Sequence, residues 1–239
     1  MPNKRLHAGD DGASQRPTKR RRVVESRVNL RFRSLHIKTI IADGEDAIRT
    51  AREAGDSRIG PKGMLAIFVD GSFCDRENIG GFGLAFKQPG RRSWELLGYR
   101  MEYCLSSLQA ELAAIAEALA VAADEAEIHY PAGASIKVFT DSQPAIELLK
   151  EACKEEIYWP SRRHFAAVRC VADVLDRLSD VLADHQVEIH WCPRRSTVGT
   201  KIADDIASEA RRGLFSLERR HPETRRLDED VFMLTQTYN

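Results

Sequence analysis

Between residues 64 and 72 the chain reads M-L-A-I-F-V-D-G-S, six apolar residues in a row and then an acid, a glycine and a serine. The run is too short for a free-standing helix and lacks the alternation of a strand with one wet face. It predicts a strand buried on both faces, central in its sheet and closed by a turn. Further on, Phe82, Leu84 and Phe86 alternate with small residues and predict a second strand, and 94–101 predicts a third, the three antiparallel. The period then changes. Leu108, Leu112, Ile115 and Leu119 share one stripe, which predicts a helix over 106–123. A strand follows at 135–140, and Asp141-Ser142-Gln143-Pro144 opens a helix to about 153, with Pro144 tolerated in its first turn. A long helical pattern covers 162–183, Val187-Glu188-Ile189-His190-Trp191 reads as a strand, and 200–212 as a last helix. This order places the chain in the α/β class, a mixed sheet with helices over its faces.

The flanks differ in kind from this body. Residues 1–29 are polar and contain Lys19-Arg20-Arg21-Arg22, with Pro17 and the pair Lys4-Arg5 upstream. They cannot bury enough apolar surface to fold alone. They read as a disordered basic arm with a signal for the nuclear import machinery, the plainer alternative being a solvated tail that touches nucleic acid loosely. Residues 30–63 carry weak strand and helix signals (Leu35, Ile37, Ile40, Ile41, then 45–54) and form a poorly defined N-terminal extension ending in Gly60-Pro61-Lys62-Gly63. The body spans 64–212, and 213–239 is a polar tail.

Charge sharpens that division. The net charge of zero hides 15 basic against 8 acidic residues in 1–63, and 21 against 28 in the rest. The five cysteines (Cys74, Cys104, Cys153, Cys170, Cys192) form no C-x-x-C pair, which argues against a zinc site or a secreted disulfide framework and for a reducing compartment, nucleus or cytoplasm. No apolar run is long enough to span a membrane, so no membrane partner is expected. No G-x-S-x-G elbow is present, and oligomeric state is not encoded legibly.

Four acids stand in awkward places. Asp70 closes the buried strand, and alone it reads as a turn residue before Gly71. Glu111 borders the apolar stripe of its helix, where simple helix N-terminal stabilisation is the competing explanation. Asp141 closes a second apolar strand and would by itself be an N-cap, although Ser142 can cap in its place and free it. Asp204 lies early in the last helix, with Asp205 competing for any role. Together they say more. Two acids end adjacent buried strands and two sit near helix starts, at the sheet edge where α/β ligand sites collect. Converging carboxylates repel unless hard cations neutralise them, and oxygen-only ligands point to two Mg2+ ions, with Mn2+ able to substitute. Two such ions form the clamp used for in-line displacement at a phosphodiester.

The pieces V-D-G-S (69–72), I-G-G-F-G (79–83), Q-A-E-L-A-A-I (109–115), F-T-D-S-Q-P-A-I (139–146) and W-C-P…G-T-K-I-A-D-D-I-A (191–207) occur in the order seen in one known family. The chain resembles ribonuclease H of type 1, and more closely the domains found in fungal genes and non-LTR retroelements. The resemblance implies a ribonuclease H-like fold with a five-stranded mixed sheet, strand order 3-2-1-4-5. It implies that Asp70, Glu111, Asp141 and Asp204 are catalytic and bind the metals, and that the RNA strand of an RNA–DNA hybrid is cut to leave a 3′-hydroxyl and a 5′-phosphate. Gly71, Ser72, Ser142 and Gln143 would lie against the substrate. The stretch before Asp204 departs from the family pattern. It is one residue shorter, and Arg195 falls where the family has a histidine that assists turnover; a cation there can contact a phosphate oxygen. The alternative class is a ribonuclease H-like module, catalytically weak or inactive, that binds nucleic acid without cutting it.

Overall fold

The computed structural model describes residues 37–55, 63–130, 133–152 and 185–215. The basic arm, the helix expected over 162–183 and the tail beyond 215 lie outside them. The described elements are β1 (Ile37–Ile40), α1 (Gly44–Gly55), β2 (Met64–Cys74), β3 (Ile79–Phe86), β4 (Glu95–Met101), α2 (Ser107–His129), β5 (Ser135–Thr140), α3 (Gln143–Ala152), β6 (Gln186–Trp191) and α4 (Val198–Arg211). They build one mixed sheet in the order β1-β6-β5-β2-β3-β4.

Five of these strands keep the expected order, and the sixth is a correction. β1 joins the outer edge parallel to β6, with Ile37 opposite Val187 and Ile40 opposite His190. Its four residues are too few to show a period in the sequence. Two further differences bear on the site. α2 runs six residues past the expected 123, to His129. β2 does not end at Asp70 but continues to Cys74, because its hairpin with β3 supplies hydrogen bonds as far as Cys74 opposite Ile79.

Alternation along β2 sorts the core into two layers. Leu65, Ile67 and Val69 face one layer, packed with Leu112, Ile115 and Leu119 of α2 and with Ala145, Ile146 and Leu149 of α3. Ala66 and Phe68 face the other, with Ala51 of α1 and Ala203 of α4. Phe68 is fully buried there, stacked on Phe139 at 4.9 Å and meeting Trp94 edge-on at 5.7 Å. The central strand is buried on both faces, as its unbroken apolar run requires.

Candidate metal centre

The site forms where β2 outruns its neighbour. β2 pairs in parallel with β5 only as far as Phe68 opposite Phe139, while its pairing with β3 goes on. Asp70 and Asp141 each stand two residues beyond that last parallel pair, so equal register sets them side by side. Past this point one edge of β2 is open, and α2 reaches it from the other layer. Gly71 makes that approach possible. A Cβ on Gly71 would lie 2.5 Å from the backbone nitrogen of Glu111, closer than real Cβ atoms come. Two side-chain hydrogen bonds fix the start of α2, with Ser106 as its N-cap. Ser106 Oγ accepts from the Gln109 N–H at 3.2 Å, and Gln109 Oε1 accepts from the Leu105 N–H at 2.8 Å. Glu111 follows one turn later.

Asp141 is free to serve because its neighbour does the capping. Ser142 Oγ accepts from the Ala145 N–H at 3.3 Å at the start of α3, as the sequence allowed. Asp204 sits on the inward face of α4, buried, whereas Asp205 is exposed. α4 lies close because β3 lacks side chains beneath it. A Cβ on Gly83 would stand 2.5 Å from the Ala203 carbonyl oxygen. A capping box between Thr197 and Thr200 starts the helix.

The carboxylates of Asp70, Glu111 and Asp141 each bring an oxygen within 4.8 Å of the others. Asp70 is 3% exposed and Glu111 8%. Asp70 Oδ2 and Glu111 Oε2 are buried with no hydrogen-bond partner. Burial and the charges of Asp141 and Asp204 push the Asp70 pKa up to about 7, against the pull of Arg194 and Arg195. Burial, with Asp70 and Asp141 adding to it, raises Glu111 well above the usual carboxylate range. Asp141 is raised too, by burial first, with Arg194 opposing. Buried acids left bare in this way are costly, and a hard cation satisfies both the orphaned oxygens and the mutual repulsion. The three residues therefore fit a divalent cation.

Asp204 is not part of that close trio. Arg194 and Arg195 each donate to one of its two oxygens, and Arg195 also reaches Asp205 at 2.8 Å. Arg194 lies between two acids, with Nε 3.9 Å from Asp141 Oδ2.

A family model for RNase H matches residues 62–212. The chain belongs to the ribonuclease H family. Curated protein sequences give no match. Among solved structures, the crystal structure of RNase H1 from the halophilic archaeon Halobacterium salinarum NRC-1 is similar, at 21% identity and a TM-score of 0.43, covering 62% of this chain and 97% of that one.

Within this ribonuclease H domain the expected substrate residues take varied positions. Gly71 is pressed under α2. Ser72 Oγ accepts from Arg211 Nε at 2.9 Å. Ser142 caps α3, Gln143 is exposed at its start, and Arg195 is engaged by acids. The sequence reading missed Arg194, although the signal was the adjacent Arg194-Arg195 pair itself. Only the turn geometry shows that both members face Asp204. Among the described residues no helix is long and apolar enough to cross a membrane.

Proposed function

We propose that this chain is a divalent-cation-dependent endonuclease that hydrolyses the RNA strand of RNA–DNA hybrids. The observation that carries the reading is the meeting of Asp70, Glu111 and Asp141 within 4.8 Å, two of them with a buried oxygen lacking any hydrogen bond. These three would hold one Mg2+, or Mn2+ in its place, and Asp70 with Asp204 would take a second. When bound, such a pair supplies an activated water and steadies the leaving oxygen of an in-line displacement.

The chain's own groups do the rest. Beyond Phe68 the edge of β2 that β5 has left presents backbone polar groups to a sugar–phosphate chain, which suits recognition of RNA through its 2′-hydroxyls. Arg194 and Arg195 stand on the solvent side of the carboxylates, where phosphate oxygens would arrive. The purified chain with Mg2+ is expected to cut the RNA of a hybrid and to leave duplex DNA and double-stranded RNA intact. A second reading, a binding module without turnover, draws support from the two arginines already occupying Asp204. Hybrid that is bound but stays whole with both Mg2+ and Mn2+ would transfer the case to that reading.

A further inference from the structure

We infer that Arg194 and Arg195 are the resident counter-ions of Asp204, so that the free chain takes up one divalent cation and admits a second only when phosphates draw the two guanidiniums away. The inference rests on the proposed hydrolytic site but concerns how that site fills.

Charge balance carries the first step. Asp70, Glu111, Asp141 and Asp204, all ionised, together with the exposed Asp205 that Arg195 also touches, present five negative charges, against which one divalent cation on the first three and two guanidiniums bring four positive ones. A second divalent ion would leave the buried centre with excess positive charge unless the arginines depart or an anion arrives. A phosphodiester does both, since it carries negative charge and accepts guanidinium hydrogen bonds.

Geometry carries the second step. The two arginines sit in a turn whose backbone is pinned, with the Ser196 N–H and Oγ both donating to the Pro193 carbonyl at 3.2 and 2.6 Å. Cys192 Sγ lies 3.3 Å from Ser196 Oγ, and Arg195 adopts φ +53°. Their side chains remain 63% and 42% exposed, while that of Asp204 is 8% exposed. Exchange of partner therefore needs only a swing of two surface side chains over a carboxylate that stays in place. Arg194, poised between Asp204 and Asp141, also screens the approach to the first cation.

The test is Mn2+ binding to the full chain without nucleic acid, read as free ion by electron paramagnetic resonance. Wild type is expected to bind one ion per chain across the range in which R194Q/R195Q binds two. Affinity for the second ion should rise about tenfold or more, given what nearby cations of like sign cost. R194K/R195K, which keeps the charge, should return to one ion, and R194Q alone should shift the second site part of the way. Two ions of similar affinity in wild type, or a single ion in every variant, would overturn the inference. If such variants also cut hybrid, the hydrolytic reading survives this loss; a wild type that binds no Mn2+ and leaves hybrid whole loses both.

Discussion

Glu111 and Asp204 reach the same centre from helices on opposite layers of the sheet, yet they arrive in different electrical states. Glu111 is buried with one oxygen bare. Asp204 is buried under two guanidiniums. The α2 side stores repulsion that a cation can release, whereas the α4 side has its charge balanced from within. An acidic cluster is thus not one object. Where the acids lack internal partners it is a vessel for metal, and where arginine has entered it is closed until something competes.

The sharpest break of that contrast is Asp141→Asn, which removes one carboxylate from the trio and a neighbour of Arg194. Hybrid cleavage should fall by about a thousandfold or more, with the unfolding midpoint in cation-free buffer unchanged or higher. Retained cleavage would remove the trio from the chemistry.

Next comes pH. Asp70 keeps its proton in the folded chain up to about pH 7, whereas its ordinary value is 3.8. Between those values the folded state binds more protons than the unfolded one, so stability falls as pH rises through the window. Raised Glu111 and Asp141 act with the same sign. Chemical denaturation without divalent ions should show a loss of a few kcal/mol (order of magnitude) from pH 4 to pH 8, and millimolar Mg2+ should flatten it. A cation-free curve that is already flat would mean the α2 side stores no such repulsion.

Gly71→Ala tests how the bare side is held together. The new methyl meets the backbone of Glu111, and since neither strand nor helix can yield cheaply it should cost about 1–3 kcal/mol in urea unfolding and weaken Mn2+ binding. The mildest change is Asp205→Ala on the balanced side. Asp205 shares Arg195 but faces solvent, so stability should move by less than about 0.5 kcal/mol and cleavage by less than about twofold. A large effect there would make Asp205 a member of the centre.

Much of this is legible in the amino-acid sequence, for reasons that can be named. Asp70 and Asp141 announce themselves because each interrupts a run of side chains that must be buried, and equal register in parallel strands then aligns them. Asp204 is told from Asp205 by the inward stripe of α4, which the helical period contains but a five-residue window does not resolve. What stayed hidden depends on partners distant in sequence. The extension of β2 past Asp70 exists only because β3 folds back on it. Arg194 stayed hidden because nothing local says that the 193–196 turn aims it at an acid ten residues on.

The sixth strand, only weakly signalled in the sequence, has a practical bearing. β1 covers the outer ladder of β6, and its own exposed flank carries Lys38, which pairs with Glu188 at 3.3 Å. The stretch matched by the family begins only at residue 62. A chain shortened to that boundary would therefore uncover the four residues of β6 that β1 pairs with, a strand rim ready to dock onto its own copy. Light scattering should find such a fragment self-associating more than the longer chain does, which would make β1 the hem that keeps this sheet from running on into its neighbours.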